Sequence, residues 1–127
     1  MKTVLIVDDE RIVLDVLQRI LMRMNYESVV VESGALALKR FNREFFDLVL
    51  LDVLMPDMNG FEIARQIRKV RPDQKIVMVT GLGEDAVIKQ ARYEHVEVDN
   101  VLSKPFSFRR VQHVVGDALG KQARIAS

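Results

Sequence analysis

The stretch Thr3-Val4-Leu5-Ile6-Val7-Asp8-Asp9 sets the pattern for the whole chain, because four aliphatic residues in a row stop at two carboxylates. A short apolar run without polar alternation is typical of a strand that is buried on both faces of a parallel sheet. An amphipathic helix is predicted next, over residues 10–25, from apolar residues that recur at helical spacing. These residues are Val13, Val16, Leu17, Ile20, Leu21 and Met24. Leu14 and Met22 fall outside this stripe and are expected at the surface, where they could help to dock a partner.

Four further short apolar runs follow along the chain, each ahead of a helical pattern. The predicted strands cover residues 28–31, 48–51, 76–79 and 98–102, and the predicted helices follow at 35–41, from 61, at 84–92 and from 108. Ser33 and Ser107 are residues of the type that caps a helix, and Gly120 marks the predicted end of the last one. Five strand–helix units joined by right-handed crossovers form a parallel sheet covered on both faces. The predicted fold is therefore α/β, a doubly wound five-stranded (βα)5 sheet with helices on both faces.

Length and composition restrict the class of protein. The 127 residues fit one domain, which we place at 1–120, with a polar C-terminal tail or the start of a linker at 121–127. A hydrophobic share of 49% with 29% charged residues is typical of a folded globular chain. No apolar run is long enough for a signal peptide or a membrane span, so the predicted location is the cytoplasm, without a membrane partner.

Charge and cysteine content exclude further classes. Nineteen basic and 18 acidic residues give a net charge of +1, which offers no field to attract nucleic acid, so direct nucleic-acid binding is not expected. The absence of cysteine excludes disulfides, thiol nucleophiles and cysteine-based zinc sites. The two histidines, His95 and His113, have no partner at ligand spacing and receive no role. Binding must therefore come from a local site.

Polar residues stand where the predicted strands end. They are Asp8, Asp9, Asp52, Thr80 and Lys104. In an open sheet of this kind, ligands bind at the carboxyl ends of the strands, so these side chains are expected to meet. Carboxylates at ~4 Å repel by roughly 4 kcal/mol per pair at an effective dielectric constant near 20, which calls for a cation. Oxygen ligands with few fixed protein contacts suit Mg²⁺.

A metal ion, an ammonium and a hydroxyl are together the groups that neutralise a phosphoryl group in transfer. One of the carboxylates would then remain as the acceptor. The residues at the strand ends therefore predict a site that receives a phosphoryl group.

Four segments resemble the receiver domain of bacterial response regulators, of the kind found in chemotaxis regulators. They are Asp8-Asp9, Asp52-Val-Leu-Met-Pro-Asp-Met-Asn-Gly60, Thr80-Gly81 and Ser103-Lys104-Pro105-Phe106, and the resemblance extends over about residues 2–119. It implies the flavodoxin-like strand order 2-1-3-4-5. It also implies a place in a two-component phosphorelay, with phosphohistidine on a sensor histidine kinase or a phosphotransfer protein as the donor.

The same resemblance implies a role for each matching residue. Asp52 is the implied phosphoacceptor, and it would hold Mg²⁺, or Mn²⁺ as an alternative, together with Asp8, Asp9 and the backbone carbonyl of Leu54. Asp9 would bind the metal directly and Asp8 through a metal-bound water.

Two further residues are implied to contact the phosphoryl group. Lys104 would pair with its oxygens, and Thr80 would hydrogen-bond one of them and move on activation. The bond from Lys104 to Pro105 is implied to be a cis peptide.

The implied function is a phosphoacceptor signalling switch that catalyses only its own phosphorylation and dephosphorylation and is otherwise not an enzyme. Its output domain, partner or second copy would bind the face formed by the fourth helix, fifth strand and fifth helix. Basic residues occur in these helices, at Lys89, Arg92, Arg109 and Arg110, and a solvated surface is the alternative reading of them.

Val101 stands where family members often carry an aromatic switch residue, three positions before the lysine. Valine has a stiff χ1 and no ring to swing, so an alternative reading is a constitutive dimerisation or docking module with an impaired switch. Two other classes fit less well. An aspartyl phosphatase needs a carboxylate at the position of Leu54, and flavin binding would be opposed by the acidic segment Asp8-Asp9-Glu10.

Overall fold

Five strands alternate with five helices in this computed structural model, which describes the backbone of residues 1–126 and the side chains of residues 1–120. The strands are β1 (Thr3–Val7), β2 (Glu27–Val31), β3 (Leu48–Asp52), β4 (Ile76–Thr80) and β5 (Asn100–Ser103). The helices are α1 (Arg11–Arg23), α2 (Gly34–Arg43), α3 (Gly60–Val70), α4 (Glu84–Tyr93) and α5 (Phe108–Ala126). No helix among the described residues is long and apolar enough to cross a membrane.

All five strands are parallel and lie in the order β2-β1-β3-β4-β5, as predicted. Every residue of β3 and β4 is buried, which explains why these runs lack polar alternation. Alternate residues of a strand point to opposite faces. In β1, Val4 and Ile6 pack against α1 and α5. Leu5 and Val7 lie on the opposite face of the sheet, which α2, α3 and α4 cover.

The apolar stripe of α1 differs at its edges from the predicted one. Leu14 is 1% exposed, and Val16 is 40% exposed. Leu14 lies three residues before Leu17 and seven before Leu21, which are both buried, so it shares their side of the helix. The expectations that Leu14 is a surface residue and that Val16 belongs to the buried stripe are therefore wrong, whereas Met22 is exposed as predicted.

Strand β5 begins at Asn100, two residues later than predicted. The reason lies in Asp99, whose side-chain oxygen Oδ2 accepts a hydrogen bond from the N–H of Ile76 at 2.7 Å. The backbone N–H of Asp99 donates to the carbonyl of Ile76 at 2.8 Å. The side chain of Asp99 thus accepts from the N–H of Ile76 in place of the first backbone hydrogen bond of the ladder between β4 and β5.

Helix α4 ends within one residue of its predicted end, whereas α5 continues past its own. His95, with φ of 56°, reverses the chain after α4, and the N–H of Val96 donates back to the carbonyl of Ala91 at 2.9 Å. This is the bonding of a left-handed helix terminus. The predicted end of the last helix at Gly120 is wrong, because α5 continues to Ala126 and a helix tolerates a glycine at a cost of only about 1 kcal/mol. The predicted tail at 121–127 lies outside the residues whose side chains the structure describes.

Candidate functional site: an acidic cleft at the carboxyl edge of the sheet

Three carboxylates meet where β1 and β3 end. Asp8 and Asp9 follow β1, and Asp52 is the last residue of its neighbour β3. Each offers an oxygen, and the three oxygens lie within 4.8 Å of one another. Asp8 and Asp52 are 1% and 5% exposed, whereas Asp9 is exposed. The parallel sheet thus brings together residues that are 43 positions apart in sequence, 52 − 9.

Lys104 follows the edge strand β5 and extends its ammonium group into this acidic cluster. Its Nζ lies 3.0 Å from Oδ2 of Asp8, 3.0 Å from Oε1 of Glu10 and 3.6 Å from Oδ1 of Asp52. Burial alone would lower the pKa of Lys104, but the bonds to Asp8 and Glu10 outweigh it and raise the pKa above its usual range. The site therefore contains a permanently charged ammonium group.

The phosphoacceptor candidate Asp52 is difficult to ionise. Burial and, next, the negative charge of Asp8 raise its pKa to about 7, although Lys104 opposes this shift. Near neutral pH, a proton therefore competes for Asp52 with any cation that binds the cluster. A metal ion that binds here would favour the ionised carboxylate, which is the nucleophilic form.

The charge and the donor atoms of the cluster fit a metal ion. Oδ1 of Asp8 accepts a hydrogen bond from the N–H of Glu10 at 2.9 Å. Oδ2 is buried, and its partner is the ammonium of Lys104, 3.0 Å away. One ammonium group thus faces a cluster of three carboxylates, and the remaining negative charge favours a bound cation. The donor set consists of hard oxygens, which are the ligands that Mg²⁺ prefers.

Thr80 and Leu54 complete the walls of the cleft. Thr80 is 1% exposed, and its hydroxyl oxygen accepts a hydrogen bond from the N–H of Leu82 at 2.9 Å, which leaves its own O–H free to donate. The cleft has a volume of about 320 Å³ and is lined by Glu10, Asp52, Leu54, Thr80, Gly81, Leu82 and Lys104. The structure thus brings Asp52, Thr80 and Lys104 together around one space large enough for a phosphoryl group, with Asp8 and Asp9 beside Asp52 in the carboxylate cluster. The peptide bond between Lys104 and Pro105 is cis, as the resemblance implies.

Val101, the position without an aromatic residue, is 1% exposed and lies in the middle of β5 beside Met78 of β4. A larger cavity of about 430 Å³ lies between α4 and β5 and includes Val101 and Ile88 in its lining. It contains none of the cluster carboxylates, so the predicted chemistry belongs to the smaller cleft.

Sequence reasoning missed some of the contacts that shape the site. Glu10 contacts Lys104 across 94 positions of sequence, a pairing that no local pattern signals. The loop after Asp52 closes on itself, because the N–H of Gly60 donates to the carbonyl of Val53 at 2.8 Å. A Cβ at Gly60 would lie 2.4 Å from the backbone oxygen of Asp52, so only glycine permits this close approach. The turn composition Met55-Pro56 to Gly60 was the available signal for this loop.

Sequence comparisons place this geometry in a known family. The chain matches the family model described as response regulator receiver domain over residues 4–116. The response regulator receiver protein CpdR of Brucella abortus is 35% identical over 109 residues, which cover 86% of this chain and 89% of that protein. The sensory transduction protein RegX3 of Mycobacterium tuberculosis is 35% identical over 111 residues, 87% of this chain and 48% of that protein. The chain spans about half the length of several such relatives.

Solved structures agree with the sequence matches. A CheY-like response regulator receiver domain protein from Methanospirillum hungatei superposes with a TM-score of 0.88 at 31% identity, covering 98% of each chain. The response regulator protein TrrA from Thermotoga maritima, in complex with Mg(2+)-BeF, gives a TM-score of 0.84 at 34% identity, covering 94% of this chain and all of that one. The shared fold, family motifs and strand-end residues lead to one conclusion: the chain belongs to the family of receiver domains of two-component response regulators.

Proposed function

We propose that this chain is the phosphoacceptor switch of a two-component phosphorelay, with Asp52 as the residue that is phosphorylated. The observation that carries the proposal is the convergence on Asp52 of two further carboxylates and one ammonium group at the carboxyl edge of the sheet. The alternative activities considered above lack a matching group, since Leu54 holds the position where an aspartyl phosphatase needs its acid.

The proposed reaction is a phosphoryl transfer from a phosphohistidine of a sensor kinase or phosphotransfer protein. A carboxylate oxygen of Asp52 attacks phosphorus, the new P–O bond forms as the P–N bond breaks, and the departing histidine nitrogen takes up a proton. Lys104 supplies a positive charge to the phosphoryl oxygens, and Thr80 donates its free O–H to one of them. Attack of water on phosphorus later restores the carboxylate, so the chain turns over only its own acyl phosphate.

Asp8, Asp9, Asp52 and the backbone carbonyl of Leu54 are the groups that we assign to Mg²⁺, with Mn²⁺ as an alternative. When bound, the ion neutralises charge on the carboxylates and on the phosphoryl oxygens. Asp8 contributes a buried carboxylate, and Lys104, 3.0 Å from its Oδ2, contributes a second positive charge to the cluster.

The proposed output surface is the face formed by α4, β5 and α5, which would bind an output domain, another partner or a second copy of the chain. Arg110 of α5 lies 3.7 Å from Glu84 of α4, so the two helices are joined at this face by an exposed ion pair. Tyr93, near the end of α4, is 81% exposed.

We also propose that the receiver domain covers residues 1–120, acts in the cytoplasm and leads at 121–127 into a tail or linker.

The second candidate function is a constitutive docking module that keeps the cleft but has lost the switch. The observation that favours it is Val101, a buried β-branched residue at the position of the usual aromatic. The two candidates differ in one property, which is whether occupancy of the cleft changes α4 and β5.

An NMR titration separates the two candidates. The probe is Mg²⁺ with beryllofluoride, the pair present in the Thermotoga maritima complex, added to ¹⁵N-labelled protein with Asp52→Asn as the control. The switch predicts new amide positions for Thr80, Leu82 and Lys104 and also for residues of α4 and β5, none of them in the control. Changes confined to the cleft would favour the docking module, and no change at all would contradict a phosphoryl site.

A further inference from the structure

The loop that follows Asp52 is joined by hydrogen bonds to the start of α2, which covers the same face of the sheet as α3 and α4. Asp57, in this loop, accepts two backbone hydrogen bonds with its two carboxylate oxygens. Oδ1 accepts from the N–H of Gly34 at 3.1 Å, and Oδ2 accepts from the N–H of Ala35 at 3.1 Å. The first N–H groups of a helix have no partner within the helix, so a carboxylate from another segment can supply one.

Charge and packing show that this junction is specific. The two N–H groups, Gly34 first, lower the pKa of Asp57, so its ionised form is the one they bind. A Cβ at Gly34 would lie 2.8 Å from Cδ1 of Ile63 and 2.9 Å from Cβ of Met58. Glycine at this position therefore lets the first turn of α2 approach the loop and α3 closely enough for Asp57 to reach it.

The N-terminus of α2 has two caps that can be changed independently. Ser33, the residue before the helix, accepts a hydrogen bond from the N–H of Leu36 with its own hydroxyl at 3.2 Å. Ser33 belongs to the β2–α2 connection, whereas Asp57 belongs to the loop between Asp52 and Gly60. Of these two caps, only the one from Asp57 joins the helix to the segment that carries Leu54.

We infer that Asp57 is a positioning residue, which holds the loop of Leu54 in place through α2 and couples occupancy of the acidic cleft to that helix. This inference rests on the proposed function, because it gives the loop the task of presenting the Leu54 carbonyl to a metal ion. The loop is fixed at its ends by β3 and by the bond from Gly60 to Val53, and Asp57 adds an attachment between them. Coupling of this kind is reciprocal: Mg²⁺ that binds through the loop also stabilises the first turn of α2.

The test compares Asp57→Ala with Ser33→Ala in the full chain. Both remove a cap from α2, but only Asp57→Ala releases the loop. We expect Asp57→Ala to weaken Mg²⁺ binding by about fivefold in isothermal titration calorimetry, and Ser33→Ala to leave it unchanged. Asp57→Asn keeps an acceptor oxygen and should recover part of the affinity.

Amide hydrogen exchange without metal gives a second readout that does not depend on Mg²⁺ binding. Asp57→Ala should accelerate exchange at Gly60 as well as at Gly34 and Ala35, whereas Ser33→Ala should affect α2 alone. In the wild-type chain, Mg²⁺ should slow exchange at Gly34 and Ala35.

Two outcomes would overturn the inference: equal effects of the two variants on Gly60, or unchanged exchange at Gly60 in Asp57→Ala. If the wild-type chain binds no Mg²⁺, the proposed metal site fails, and with it the coupling to that site. The metal-free exchange rates then still decide whether Asp57 holds the loop.

Discussion

At the residue scale, Asp52 is placed in an environment that opposes its own charge. The carboxylate is 5% exposed, and the buried carboxylate of Asp8 lies in the same cluster. Lys104 compensates only in part, because it also contacts Asp8 and Glu10. The metal-free site is therefore electrostatically costly, and a bound cation would relieve this cost.

This cost predicts an unusual dependence of stability on pH in metal-free buffer. The pKa of Asp52 is raised from 3.8 to about 7, so between these values the folded chain holds a proton that the unfolded chain has released. The free energy of unfolding should therefore fall as pH rises from 4 to 7. The contribution of Asp52 to this fall should be about 2–4 kcal/mol. Asp52→Asn should remove this component and be the more stable protein at pH 8.

Urea unfolding followed by circular dichroism in EDTA, from pH 4 to 8, measures this effect. Asp15→Asn, a change of an exposed carboxylate on α1, is the matched control and should keep the wild-type slope. Equal slopes for wild type and Asp52→Asn would show that Asp52 has an ordinary pKa and that the cluster is not strained.

Residue-level contacts were the least predictable from sequence. The chemistry of Asp8, Asp52, Thr80 and Lys104 could be predicted because each stands at the end of an apolar run. The partner of Lys104 at Glu10 could not, since it is 94 positions away and requires the finished sheet. The two hydrogen bonds of Asp57 to α2 were missed for the same reason.

At the element scale, the junction of β3 with α3 determines where the phosphoacceptor candidate lies. The chain turns from Asp52 back to Gly60, and Asn59 caps α3 by accepting a hydrogen bond from the N–H of Phe61 at 2.7 Å. Gly60 lies against the backbone of Asp52 and Val53, with no space for a side chain. The position of the acceptor is therefore tied to the first turn of α3.

We predict that Gly60→Ala destabilises the protein by about 2 kcal/mol or more, because the added methyl group meets backbone atoms that cannot move aside. The matched control is Gly116→Ala in α5, where a Cβ would meet nothing within 4 Å. That change should stabilise the chain by about 0.5–1 kcal/mol, since alanine is the better helix former. Equal urea midpoints for the two variants would contradict the close approach at Gly60.

The sequence patterns predicted the elements better than their edges. Apolar runs and helical spacing identified all five strands and five helices, because burial of both sheet faces leaves a strong pattern. Leu14 was assigned wrongly because the buried stripe of α1 is shifted round the helix from the predicted one, which buries Leu14 and exposes Val16. Strand β5 begins two residues later than predicted because the side chain of Asp99 replaces a backbone hydrogen bond to β4. This contact is tertiary and leaves no local signal in the sequence.

At the scale of the whole molecule, one sheet separates two apolar cores and carries the polar cleft at its edge. Val4 and Ile6 belong to one core and Leu5 and Val7 to the other, so a single strand holds both layers together. The strand order came from the family resemblance, because short parallel strands of similar composition do not specify their neighbours by periodicity. The carboxylate cluster requires β1 beside β3, and this order places them side by side.

The most direct test of this account is the intact mass of the protein after incubation with a small acyl phosphate, with and without Mg²⁺. We predict a Mg²⁺-dependent gain of one phosphoryl group in the wild-type chain and no gain in Asp52→Asn. A gain that persists in Asp52→Asn would place the acceptor elsewhere. No gain in the wild-type chain under any condition would contradict the proposed switch.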